Sequence, residues 1–182
     1  MIDIACAFTG HRPKSFPWGY NENDNRCIAL KAMIAQQISN LAADGVADFY
    51  SGMALGVDTW AAAAVLDLRK DNSTIRLHCI LPCKGQECKW TIPAQERYKS
   101  ILQKADSIKY VKQIYDKKCM LERNHQLVDS ATILLAVYNG SKRCGTAATI
   151  RYAQKTGRAI IIIDPVTQSV SHNDISLPSI LL

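Results

Sequence analysis

The chain has 182 residues, 48% apolar and 21% charged, with a formal charge of +6. That length and balance suit one globular domain with its own core and exclude a disordered, collagenous or low-complexity chain. No apolar run approaches the roughly 20 residues that cross a bilayer, and Met1-Ile2-Asp3 puts an acid where a signal peptide carries bases, so no membrane partner and a cytoplasmic location are expected.

Ile2 to Phe8 reads as a buried strand closed by Thr9-Gly10. From Glu22 to Ala43 the apolar residues Ile28, Leu30, Met33, Ile34, Ile38 and Leu41 recur at helical spacing, ended by Asp44-Gly45. Val46 to Tyr50 is the next strand, and an alanine-rich helix runs from Val57 to Lys70. Ile75 to Leu81 is a third strand, stopped by Pro82; Pro93 to Lys104 is helical, Ser107 to Val111 a short strand and Lys117 to Val128 helical again. Ala131 to Tyr138 is a strongly apolar strand, Thr146 to Thr156 a helix and Ala159 to Asp164 a last strand. Such alternation predicts a three-layer α/β fold, doubly wound and Rossmann-like, around a mainly parallel sheet. Residues 1–165 form the expected single domain. Residues 166–182 form a tail whose polar part is expected to be a mobile connection and whose apolar end, Leu177 to Leu182, is expected to pack back on the domain.

Seven scattered cysteines read as reduced thiols, and Cys79, Cys83 and Cys88 lack the paired spacing of a structural zinc site, so no metal is expected. The basic residues form neither a block nor a stripe interleaved with aromatics, which gives a nucleic-acid partner only weak support.

In a doubly wound fold, ligands bind beyond the carboxyl ends of the strands, so the loops that follow strands carry the functional argument. The first, Thr9-Gly10-His11-Arg12-Pro13, offers a guanidinium for phosphate or carboxylate and a glycine that lets backbone approach; the same residues also make an ordinary turn. The second, Ser51-Gly52-Met53-Ala54-Leu55-Gly56-Val57-Asp58, leads through small residues into a helix N-terminus, where unpaired N–H groups and the helix dipole favour an anion. It is neither the dinucleotide fingerprint nor a P-loop, and Asp58 serves either a ligand hydroxyl or the helix dipole. The third, Tyr138 to Thr146, places Asn139, Gly140, Lys142 and Arg143 before a helix opened by Gly145-Thr146. Two glycine-containing strand-to-helix turns in one small domain favour a ligand site over structural turns.

In order, these loops resemble the SLOG superfamily, the Rossmann-like group that includes DNA-processing protein A and the Lonely Guy phosphoribohydrolases, and within it the YpsA-like family. Phe8-Thr9-Gly10-His11-Arg12-Pro13 and Ser51 to Asp58 are similar to that family's first two motifs; Gln86, Trp90, Arg97, Tyr98, Arg123-Asn124, Val128-Asp129, Tyr138-Asn139-Gly140 and Gly145-Thr146 continue the likeness, over Ile4 to Asp164. The resemblance implies a pocket for a nucleotide or nucleotide derivative, ADP-ribose-like ligands included, with Trp90 stacking on a base and Arg123 and Asn124 on sugar or phosphate.

The Lonely Guy enzymes carry a glutamate that assists glycosidic cleavage; Thr149 occupies that position here and has no carboxylate to offer, while Cys144 stands where relatives carry glycine. The sequence therefore points to a binding or sensing domain that reports ligand occupancy to a partner protein or within a homo-oligomer. One alternative is a nucleotide hydrolase in which Asp58 or Asp129 replaces the glutamate. The other is a single-stranded DNA-binding domain.

Overall fold

A computed structural model describes residues 4–173, which the apolar tail end Leu177 to Leu182 lies outside. Among the described residues seven strands form one sheet in the order β4-β3-β2-β1-β5-β6-β7: β1 Ala5–Gly10, β2 Asp48–Ser51, β3 Arg76–Leu81, β4 Ser107–Tyr110, β5 Ile133–Val137, β6 Ala159–Asp164 and β7 Ser169–Asn173. All neighbours are parallel except β6 and β7. The helices are α1 Asn25–Ala43, α2 Val57–Leu68, α3 Ile92–Lys104, α4 Cys119–Asp129 and α5 Gly145–Lys155.

The central strands are apolar on both faces because each face is covered. Cys6 and Phe8 of β1 face a core shared with Leu30, Ile34 and Ile38 of α1, Val57 and Ala61 of α2, and Tyr98 and Ile101 of α3. Ala5 and Ala7 face the other core, with Leu127 and Val128 of α4 and Ile150 and Ala153 of α5. The first three connections carry the chain outward from β1 to β4; the next returns it to β5, on the other side of β1. Chain direction through the sheet therefore reverses between β1 and β5, and the crevice expected of a doubly wound sheet opens beyond their carboxyl ends.

Three local readings change. Helix α1 starts at Asn25, three residues later than the apolar pattern suggests, because the Asp24 carboxylate caps it by accepting from the Arg26 N–H at 2.9 Å. Its buried stripe runs Cys27, Leu30, Ile34, Ile38 and Leu41, while Ile28 is exposed. The polar stretch beyond Asp164, expected to be mobile, turns through Gln168 at φ 53° and returns as β7, paired antiparallel to β6 from Asp164↔Ser169 to Ile160↔Asn173. Its side chains are mostly exposed, so the strand leaves almost no apolar signature; backbone pairing, not side-chain burial, forms it. Among the described residues no helix is long and apolar enough to cross a membrane.

Candidate functional site

Three strand-to-helix loops and one helix meet at the β1/β5 crevice. They enclose a pocket of about 280 Å³ lined by Thr9, Gly10, His11, Arg12, Lys14 and Ser15 of the first loop and by Ala54 and Asp58 at the start of α2. Met120, Arg123 and Asn124 of α4 and Cys144, Gly145 and Thr146 at the start of α5 complete it.

The β1 loop reaches the pocket because Gly10 has no side chain: a Cβ there would stand 2.6 Å from Val57, so glycine lets α2 start directly against the strand end. His11 is buried and held in place, its Nε2 accepting the Asn139 N–H at 3.4 Å and its ring stacked on Tyr138. That acceptor role leaves the ring proton on Nδ1, and burial holds its pKa below the usual imidazole value.

The second loop is occupied largely with itself. The Ser51 hydroxyl accepts the Met53 N–H and donates to the Asp58 carbonyl, and Asp58 Oδ2 accepts the Ala54 N–H at 3.3 Å. Met53 is buried at φ 55°, and Gly56 turns into α2 at φ 101° against Pro13. Gln86 braces the turn from outside, its amide donating to the carbonyls of Gly52 and Met53 and to the Tyr98 hydroxyl. Ser51, Gly52, Met53, Gly56 and Gln86 thus shape the pocket from behind, and the protein's own carboxylate takes one of the main-chain donors that sequence reasoning assigned to an anion.

That carboxylate answers to Arg123. Its Nη1 lies 3.1 Å from Asp58 Oδ2, and both side chains are almost wholly buried. The guanidinium passes over Gly52, where a Cβ would sit only 1.5 Å from Nη1. Burial pushes the Asp58 carboxyl up, against the pull of Arg123, the Ala54 N–H and the charge of Arg12. Burial likewise lowers Arg123, whose Nε finds no hydrogen-bond partner among the described residues. A buried cation with an unpaired donor at the wall of a pocket suits an anionic guest.

The third wall is the α5 N-terminus. Cys144 caps it, Sγ accepting from the Ala147 N–H at 3.4 Å, so the Gly145 and Thr146 N–H groups, which have no partner within the helix, border the pocket. Thr149 is buried one turn later, its hydroxyl returned to the Gly145 carbonyl. Asn139 and Gly140 lie behind this wall: the Asn139 carboxamide accepts the Ser141 N–H and Gly140 takes φ 84°.

Two predicted residues stand elsewhere. Asp129 is exposed at the far end of α4, accepting the Tyr152 hydroxyl at 3.0 Å, so it does not meet Asp58. Trp90 packs edge-on to Tyr98 in a neighbouring groove of about 1030 Å³ that shares Arg12 and Lys14 with the pocket and also holds Tyr20, Glu22, Lys89 and Arg97. Glu22 fastens that groove, accepting from Lys31, the Trp60 indole and Arg97 at 2.6 to 3.1 Å. The residues named from sequence as ligand-binding leave out Lys14, Ser15, Met120 and Cys144 of this lining; Lys14, a cation just beyond Arg12 and Pro13, and Cys144, just before Gly145-Thr146, carried a signal.

The model of the YspA SLOG family matches residues 6–167. A UPF0398 protein of Halalkalibacterium halodurans is 29% identical over 75% of this chain and 73% of its own length. The UPF0398 protein YpsA of Bacillus subtilis is 26% identical over 82% of this chain and 83% of its own. Among solved structures, DNA processing protein A from Helicobacter pylori, described for its single-stranded DNA binding mode, is similar with a TM-score of 0.61 and 20% identity, covering 89% of this chain and 66% of that one. This last likeness is one of fold.

Proposed function

The chain belongs to the YspA SLOG family, and from that premise we propose that it binds a nucleotide or nucleotide derivative, ADP-ribose-like ligands included, with a phosphate in the β1/β5 pocket. One observation carries the reading: Arg12, Lys14, Arg123 and the α5 N-terminus meet around one small cavity in which, among the described residues, Asp58 is the sole acidic side chain. A single carboxylate, already paired with Arg123, leaves a net positive wall that a phosphate neutralises. At about 280 Å³ the cavity matches the small end of ligand sites, room for a phosphate and its sugar more than for a whole dinucleotide. The role that follows is sensing, with occupancy passed to a partner protein or another copy of the chain.

Thermal melts with a nucleotide panel test this. A ligand at 100 times its Kd adds about 2.7 kcal/mol to stability, which raises the Tm of a chain this size by roughly 5–11 °C. The Arg12→Ala variant should lose that rise while melting like the parent without ligand. No shift with any mononucleotide, dinucleotide or ADP-ribose would remove the proposal.

A second reading, single-stranded DNA, draws on the likeness to DNA processing protein A and on the adjoining groove, where Lys14, Lys89 and Trp90 combine cations with an aromatic face. Filter binding at rising salt separates the two: a strand held by phosphate contacts weakens steeply with salt. For glycosidic hydrolysis, Asp58 is the carboxylate at hand, and its engagement by Arg123 and the Ala54 N–H opposes proton abstraction. Base release from nucleoside monophosphates is the corresponding assay.

A further inference from the structure

At the amino ends of the outer strands, away from the pocket, three side chains form a relay that no part of the binding reading uses. Strand register sets Asp48 beside Arg76, Tyr50 beside His78 and His78 beside Ser107. Because alternate residues share a sheet face, Asp48, Tyr50, His78 and Ser107 all stand on the same side. His78 bridges two of them: Nδ1 lies 2.7 Å from the Ser107 hydroxyl and Nε2 lies 2.7 Å from Asp48 Oδ1.

The partners decide where the protons sit. Arg76 grips Asp48 with both arms of its guanidinium, at 2.7 and 2.6 Å, and those hydrogen bonds hold the carboxyl below its usual range, so it is an acceptor only. The proton on neutral His78 therefore belongs on Nε2, facing Asp48, which leaves the Nδ1 lone pair aimed at the Ser107 O–H. The Tyr50 ring, stacked on the imidazole at 4.7 Å and 24°, fixes its plane. Exposure follows the same order: Asp48 and His78 side chains are 17% exposed, whereas Ser107 faces solvent on edge strand β4.

We propose that Ser107 is an activated nucleophile that takes acyl groups from small activated esters, with His78 as its general base and Asp48 as the residue that positions the imidazole. Ser107 Oγ forms a bond to the ester carbonyl carbon as its proton passes to His78 Nδ1. The tetrahedral adduct then expels the alkoxide or phenolate, leaving acyl-Ser107, and the imidazolium gives up its proton to the leaving group or to water. Water, deprotonated by the same nitrogen, later attacks the acyl carbon and expels Ser107 Oγ, which takes the proton back from Nδ1, releasing the carboxylic acid and free Ser107.

The test uses the full chain and p-nitrophenyl acetate, with peptide mass spectrometry to locate the acetyl group. General-base assistance is worth about 10²–10⁴-fold, so Ser107 should acetylate at least about 100-fold faster than Ser100 and Ser141, exposed serines that serve as internal controls. His78→Ala should bring Ser107 down to the control rate, and added imidazole should restore part of it. Asp48→Asn should slow acetylation while the His78→Gln variant, which preserves a polar side chain, reports any loss of folding in its melt. Acetylation of wild-type Ser107 no faster than the controls overturns the proposal without recourse to any variant, as does full-rate acetylation in folded His78→Ala protein.

Discussion

Gly52→Ala is the substitution whose consequence follows most directly from the site. The added methyl would lie 1.5 Å from Arg123 Nη1, 2.5 Å from its Cζ and 2.9 Å from Asp58 Oδ2, so the guanidinium must leave its place. Moving it off Gly52 breaks the 3.1 Å hydrogen bond from Nη1 to Asp58, which is 6% exposed. Breaking a buried ion pair by removing one partner costs about 3–5 kcal/mol. Arg12, whose charge already acts on Asp58, lies at the same pocket and takes up part of the loss, which favours the lower figure. At about 3 kcal/mol the Tm falls by roughly 6–12 °C for a chain of this length. Thermal unfolding followed by circular dichroism measures it, and a second variant identifies the cause. In an Asp58→Asn background, where the ion pair is already broken and Arg123 has no carboxylate left to lose, Gly52→Ala should cost distinctly less. A Gly52→Ala protein that melts within 2 °C of the parent, or that loses as much in the Asp58→Asn background, would show that the pair is not what glycine protects at this position.

Other outcomes follow from neighbouring contacts. Burial depresses the His11 pKa below 6.5, so in the window below 6.5 the unfolded chain binds more protons than the folded one. His11 therefore adds stability above that window and loses it as pH falls through it: urea midpoints should drop from pH 7 to pH 5, with a smaller drop in His11→Gln. Gln86→Leu strands the carbonyls of Gly52 and Met53 and should cost about 1–3 kcal/mol in urea titration, along with weaker nucleotide binding, since the loop that carries Ala54 and Asp58 to the pocket loses its rear brace. Sulfur is a poor helix cap, so Cys144→Ser should raise stability by about 0.5–1 kcal/mol in the same assay; a neutral or negative result would mean the Ala147 N–H is satisfied some other way.

The fold was legible because strands such as Ile133–Val137 are apolar on both faces and helices such as α5 open at a glycine, signals that act over a few residues. Strand β7 was not, because its partner supplies the pairing and its side chains remain in solvent. The loops around Arg12, Ala54 and Gly145 were readable as a group, since a parallel sheet sends every strand-to-helix turn to one end. What sequence could not show is how the donors are shared out. Asp58 spends itself on Ala54 and Arg123, and Asp129 faces Tyr152 at the other end of its helix, both decided by side-chain direction across the fold rather than by spacing. The Asp48, His78 and Ser107 relay was equally hidden: its members come from three strands, and only strand register aligns them.

The claim on which the account rests is that the β1/β5 crevice receives phosphate. Titrating uniformly ¹⁵N-labelled protein with adenosine monophosphate, and following each amide by heteronuclear NMR, addresses it residue by residue. The account predicts saturable shifts concentrated at Gly10, Arg12, Gly145 and Thr146, with the Arg123 side-chain Nε–H joining them; shifts confined to other surfaces, or none at saturating ligand, would contradict it.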